Sequence, residues 1–292
     1  MSWLSILIRG LAMGAADAVP GVSGGTVAFL TGIYERLLAV LTSVTPDLWT
    51  AFRQNGLKEV WNRLDGGFVL PLMTGILMSL VTVAHLIKDW LEIVPERVWG
   101  FFFGLVIAMG LSLLSNLRAT MQKTDWLWLF FGLILALSVG LQTPQSVSPE
   151  VWIWPFAGAI ALSAMLLPGI SGSFLLLLMG LYPALIDAIS SFDITILGLF
   201  ISGGVFGILL MAHVLKALLA RYHNQVLSVL TGVVFGALVR VWPWQSLTAD
   251  GSLVLMVPTA NLLWIPLAFG ISGFISALFM VRLADQNVVA AR

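Results

Sequence analysis

The sequence predicts an all-α integral membrane protein built as an inverted-topology repeat, and three observations carry that prediction. Of 292 residues, 59% are hydrophobic and 10% charged, and the mean hydropathy is +1.01. No water-soluble domain buries that much apolar surface, so lipid must meet it. The stretch Pro20-Gly21-Val22-Ser23-Gly24-Gly25-Thr26 returns as Pro168-Gly169-Ile170-Ser171-Gly172-Ser173-Phe174, each inside an apolar segment. Each copy is followed by an apolar run ending in a matched pair, Gly32-Ile33-Tyr34 and Gly180-Leu181-Tyr182.

The repeat extends past these motifs. Pro20 and Pro168 stand 148 residues apart, whereas Thr74-Gly75 through His85-Leu86-Ile87-Lys88 matches Ser202-Gly203 through His213-Val214-Leu215-Lys216 at an offset of 128. The offset falls because the first half carries an insert, roughly Thr45 to Leu64. The halves are therefore 1–143 and 144–292, and internal symmetry of this kind belongs to secondary transporters.

In chain order, arms of about 3–19 and 24–44 flank the first motif, and arms of about 151–167 and 173–191 flank the second. Several are shorter than the ~20 residues of a full crossing. Each pair is expected to form a re-entrant hairpin (about 3–44 and 151–191), and broken backbone at that depth requires cover by protein or water. In the insert, Trp49, Phe52, Val60, Trp61 and Leu64 recur at helical spacing against Arg53, Lys58, Glu59 and Arg63. This predicts either an interfacial helix on the lipid surface or a solvated connector. Spans follow at about 68–87, 98–116, 126–142, 194–214, 226–242 and 253–281, the last irregular at its outer end because of Pro258 and Pro266. One hairpin plus three spans per half inverts the second half. With the amino terminus inside, eleven basic residues lie inward and only Lys88, Arg97 and Arg240 outward, which places both termini in the cytoplasm. A cleaved signal peptide is not expected, because Arg9 interrupts the apolar start.

Zero net charge gives no reason to expect a nucleic-acid partner, and the absence of cysteine removes disulfides and thiolate chemistry. The three histidines have no metal-ligand spacing, so no cofactor is expected. What the breaks offer is anion binding. The first turn of a helix that starts after Pro-Gly-x-Ser has free N–H groups carrying about half a positive charge. Gly24, Gly25 and Gly172 leave those donors bare, and Ser23, Thr26, Ser171 and Ser173 add hydroxyls. The result is a cradle suited to phosphate or carboxylate. Pro and Gly also kink helices and let them pack closely, so a structural role stands beside the functional one.

The ionisable residues divide similarly. Asp17, three residues before Pro20, has Met165 as its counterpart; it is expected to bind H⁺ or Na⁺, or to cap the break. Glu35 and Arg36 either line the cytoplasmic mouth or anchor an arm at the interface. Asp187, His85 and His213 read as interfacial or capping groups. Arg240, in an outer apolar stretch, is a candidate contact for an anionic head group arriving from outside.

With these residues in view, the chain resembles the polyprenyl-phosphate transporter family over essentially its whole length. The resemblance rests on Gly14-Ala15-Ala16-Asp17-Ala18-Val19 with the first motif, on Gly32-Ile33-Tyr34-Glu35-Arg36-Leu37, and on Leu167 with the second motif and Gly180-Leu181-Tyr182. Pro183 departs from the acidic residue expected after the second Tyr, which puts Glu35 in doubt as half of a symmetric pair. The resemblance implies a bacterial inner-membrane translocase that returns undecaprenyl phosphate from the outer to the inner leaflet for reuse in cell-envelope synthesis. It implies no enzyme activity. An undecaprenyl-pyrophosphate phosphatase is the alternative, against which stand Gly24 and Gly172 where a phosphate-clamping Arg is needed; a small organic-anion carrier is another. Homo-oligomerisation stays open.

Overall fold

The computed structural model describes residues 1–17, 23–142, 149–248, 253–257 and 263–289. Pro20, Gly21, Val22, Pro258 and Arg292 lie outside the described residues, and only backbone is described at His85 and Lys88. Thirteen helices and one two-stranded sheet are described. The first half runs α1 (Trp3–Asp17), α2 (Gly24–Leu30), α3 (Tyr34–Ser43), α4 (Asp47–Arg63), α5 (Gly66–Ile93), α6 (Pro95–Arg118) and α7 (Lys123–Gly140). The second runs α8 (Trp154–Leu166), α9 (Gly172–Leu178), α10 (Tyr182–Ser190), α11 (Ile194–Arg221), α12 (His223–Gly236) and α13 (Trp264–Val289).

Among the described residues, four helices are long and apolar enough to cross a membrane, and up to seven segments if each sharply bent pair counts as one span. With outward-facing Leu77, Phe131, Ile134, Phe206 and Phe279 all more than half exposed, the chain is a multi-pass membrane protein.

Four helix pairs form the frame, and glycines set each one. α1 lies on α5, where a Cβ on Gly10 would strike the Leu72 carbonyl and one on Gly14 the Ile76 carbonyl. α8 lies on α11 through Gly158 against Phe200, Gly203 against Pro155 and Gly207 against Ala159. α6 meets α13 at Gly100–Pro266, Gly104–Gly270 and Phe101–Gly273, and α7 meets α12 at Gly132–Val229 and Gly232–Leu129. Lipid gives no hydrophobic drive for helices to associate, so backbone-to-backbone dispersion at small-xxx-small steps such as Gly100/Gly104, Gly203/Gly207 and Gly232/Gly236 supplies it. Contacts advance together along both members, so each pair is parallel. Gly10 against Leu72 has a counterpart in Gly158 against Phe200, and Gly75 against Leu7 in Gly203 against Pro155.

Several boundaries differ from the sequence reading. The arms 24–44 and 173–191 are each two helices, bent by 116° and 111° respectively. Gly32 (φ 67°) and Gly180 (φ 72°) turn the chain in the left-handed region, which a side chain disfavours. The Gly-x-Tyr pairs are therefore corners that split arms read as continuous. The span expected at 226–242 is α-helical over His223–Gly236, followed by a 3₁₀ turn over Ala237–Val239. The last span begins at Trp264, and the stretch before it contributes an antiparallel ribbon, β1 (Gln245–Leu247) with β2 (Leu253–Leu255). The insert forms α4, whose two halves meet at Gly56 (φ 70°).

Because Gly203 has the Pro155 backbone against it and Gly198 has open space, Gly203→Leu is expected to cost about 1–3 kcal/mol or more through overpacking. Gly198→Ala is expected to cost nothing. Thermal unfolding of the two variants in one detergent is the check.

Candidate functional site

The two broken segments meet, and orphaned backbone groups explain how. α8 ends at Leu166, leaving the carbonyls of its last turn without intrahelical donors. The first half supplies them: Ser23 Oγ donates to the Met165 carbonyl at 3.2 Å, and Tyr34 Oη donates to the Leu166 carbonyl at 2.9 Å. In the break itself, the Gly169 amide donates to Thr26 Oγ1 at 2.8 Å. Ser23, Thr26 and Tyr34 are all buried. The second break is thus held by three side chains of the first half.

The glycines make the approach possible. A Cβ on Gly25 would strike the Met165 carbonyl, and one on Gly172 the Ala161 carbonyl. Gly169 adopts φ 83° with the backbone of Val234 on α12 about it.

The donors at the start of α2 are largely taken from within. Asp17 Oδ1 accepts from the Gly24 amide at 2.6 Å, Ser23 Oγ accepts from Gly25 N at 3.1 Å, and the Thr26 amide bonds the Ser23 carbonyl at 3.0 Å. Of the roles the sequence allowed Asp17, the structure places its carboxylate as the cap of the break. Met165 stands in its place in the other half, so no carboxylate caps α9. There Ser171 Oγ accepts from the Phe174 amide at 3.4 Å and lies 2.9 Å from Ser173 Oγ. The Arg240 guanidinium sits 3.8 Å from the centroid of the Phe174 ring, which puts a cation against the first turn of α9. Gln245 Nε2 donates to the Arg240 carbonyl at 3.0 Å, tying the ribbon to that position.

The structure therefore sets Ser23, Gly25 and Thr26 against the second break at residues 165–169, Asp17 on the Gly24 amide, and Arg240 on the ring of Phe174. It does not bring Glu35 or Arg36 there. Arg36 pairs with Asp65 through Nε at 2.6 Å and a second nitrogen at 3.0 Å, and lies over Phe68, an anchoring role. Glu35 lines a cleft of about 400 Å³ between the end of α6, the start of α12 and the Gly32 corner, with Asn116, Thr120, His223 and Asn224. Tyr34 and Thr231 also line this cleft, so it reaches the residue whose hydroxyl caps Leu166. His213 bonds the Leu209 carbonyl of its own helix and is exposed, as is Asp187.

Sequence reasoning did not single out Tyr34 as a cap, nor Phe174 as the plate under Arg240. The matched Gly-x-Tyr pair was the available signal for Tyr34, since two corners of equal chemistry mark equal geometry. Yet only Tyr34 is buried, at 3% exposure against 37% for Tyr182.

Taken together, the two bent helical segments meet inside a glycine-seamed bundle of helices long and apolar enough to cross a membrane. The chain belongs to the VCA0040-like family, described as undecaprenyl phosphate translocase-like, whose model matches residues 13–252. It is 43% identical over 247 residues to a polyprenyl-phosphate transporter of Vibrio cholerae serotype O1, covering 84% of this chain and 79% of that one. It is 29% identical over 304 residues to a polyprenyl-phosphate transporter of Staphylococcus aureus, covering 98% of each chain. No solved structure matches it.

Thr26→Val keeps the shape of the side chain and leaves the Gly169 amide unmet, at an expected cost of about 1–3 kcal/mol. Thr26→Ser restores the acceptor and most of the stability. Thermal unfolding of both variants, read against the unaltered chain, measures it.

Proposed function

We propose that this protein is a translocase that moves polyprenyl phosphate, in the cell undecaprenyl phosphate, from the outer to the inner leaflet of the bacterial inner membrane. The observation that carries the reading is the meeting of the two breaks, with Ser23 and Tyr34 on the carbonyls of Met165 and Leu166 and Thr26 on the Gly169 amide. A lipid phosphate crosses hydrocarbon slowly because its charge loses water. A centre rich in hydroxyls and bare amides replaces that water, while the tail stays in the bilayer.

The halves are read as inverted repeats. α6 is parallel to α13 and α7 to α12, whereas α5 joins α6 through the single residue Val94 and α11 joins α12 through Tyr222. Chains that reverse at those joints run α5 and α11 in opposite directions. α1 lies beside α5 and parallel to it, so the chain between them returns to the face where α1 began, which supports a re-entrant hairpin. The same argument applies to α8 and α11. Alternating access then comes from one half rocking against the other, with the cleft at Glu35 and Asn116 as the cytoplasmic exit.

The two cradles have unequal roles in this reading. Asp17 already satisfies the first, so the second takes the phosphate, with Ser171, Ser173 and the amides at Gly172 as donors and Arg240 as the counter-charge. Asp17 is the group through which H⁺ or Na⁺ couples to transport: losing its charge weakens the cap on Gly24 and frees the first cradle, Ser23 to Thr26, to receive the phosphate in turn.

Purified protein in liposomes tests the proposal. Loss of undecaprenyl phosphate from the outer leaflet without release of free phosphate is expected, and Arg240→Gln and Ser171→Ala/Ser173→Ala are expected to slow it about 10- to 100-fold, the worth of a charge-assisted hydrogen bond. Phosphate release from the pyrophosphate lipid would assign an enzyme instead. In the same assay, Asp17→Asn is expected to flatten the dependence of rate on pH or on Na⁺; an unchanged dependence removes Asp17 from coupling.

A further inference from the structure

A second cavity lies apart from the centre, between α1, α5, α6 and α13. It measures about 680 Å³, within the range of ligand sites. Its walls are aromatic, with Trp90, Phe101, Phe102 and Phe269, and among the described residues its charged group is Arg97 in the first turn of α6. Arg97 is exposed and lies 6.0 Å from the centroid of the Phe269 ring. At the opposite wall stands Ala15 of α1. Ala15 precedes Asp17 by two residues, about 3 Å of helix rise, so the cavity reaches the arm that ends in the first break.

We propose that this groove holds the isoprenoid tail of the transported lipid, with Arg97 meeting its phosphate as it arrives; the assignment rests on the function proposed above. Any apolar groove in a bilayer will be filled by hydrocarbon, so hydrophobicity selects nothing. Selection comes from shape and charge. Flat, stiff aromatic faces make many dispersion contacts with a methyl-branched, unsaturated chain at little cost in side-chain order. An arginine keeps its charge beside hydrocarbon and offers paired donors to phosphate oxygens. On the charge asymmetry of the sequence, Arg97 lies on the outer side, where the spent carrier waits. Once the head moves to the breaks, the tail need not leave the groove, because Ala15 of its lining stands two residues before Asp17, the cap of Gly24.

The test uses the full-length protein in liposomes with a polyprenyl phosphate bearing a photoreactive group in its tail. Labelling is expected on the peptides containing Phe101, Phe102 and Phe269, and is expected to be competed by unlabelled long-chain polyprenyl phosphate but not by phosphatidylglycerol. Arg97→Gln is expected to raise the lipid concentration needed for half-maximal labelling about tenfold. Phe101→Ala/Phe269→Ala is expected to slow exchange of the long-chain lipid about tenfold, and an unchanged rate removes these rings from the groove. A conservative Phe269→Leu variant and thermal unfolding guard against simple misfolding. Labelling elsewhere, or equal competition by phosphatidylglycerol, with leaflet exchange intact overturns the groove assignment alone. Absence of exchange with the unaltered protein overturns the transport proposal and this one with it.

Discussion

Unmet backbone groups are costly in hydrocarbon, and everything in this molecule follows from having broken two helices where that cost is highest. A helix that stops at Leu166 leaves carbonyls with no donor, and a chain that turns at Gly169 leaves an amide with no acceptor. The solution is intermolecular in style but carried out within one chain: hydroxyls from Ser23, Thr26 and Tyr34, more than 130 residues earlier, complete the second break. The halves are therefore interdependent at their most polar point. The second break depends on side chains of the first segment, whereas the helix start at Gly24 is capped largely from within.

That dependence also explains why the symmetry is incomplete where it matters. The frame pairs repeat closely, since glycine against backbone admits little variation. At the centre the equivalents diverge: Asp17 against Met165, Thr26 against Phe174. A carboxylate closes one helix start, while an aromatic ring and a guanidinium flank the other. A symmetric centre would place two like sites in opposition. An asymmetric one makes the two helix starts chemically distinct.

Much of this was legible in the sequence, for physical reasons that can be named. Membrane residence follows from composition, and the broken segments from Pro-Gly-x-Ser. Asp17 was visible because an acid in an apolar arm is costly enough to need a purpose. What stayed hidden involved backbone atoms or distant partners. The acceptors of Ser23 and Tyr34 are carbonyls, which have no residue-type signature, so no pattern announces them. The corners at Gly32 and Gly180, inside arms read as continuous, stayed hidden because a glycine's sign of φ cannot be read from its letter. Arg36 could as well have lined the mouth, until Asp65, 29 residues on, was seen to hold it. The ribbon before α13 hid inside an apolar run that satisfies a span and a strand equally.

The parallel seams carry a consequence for biosynthesis. α6 and α7 are made early, but their glycine partners are α13 and α12, the last helices to emerge from the ribosome. Until then Gly100, Gly104 and Gly132 face lipid with exposed backbone and no neighbour to fill the notch. The nascent chain must wait in the membrane half-assembled, and a message truncated before α13 would yield a protein whose α6 is inserted yet permanently unpartnered. Such a product displays the kind of open, small-residue surface by which a cell's membrane quality control distinguishes the unfinished from the complete.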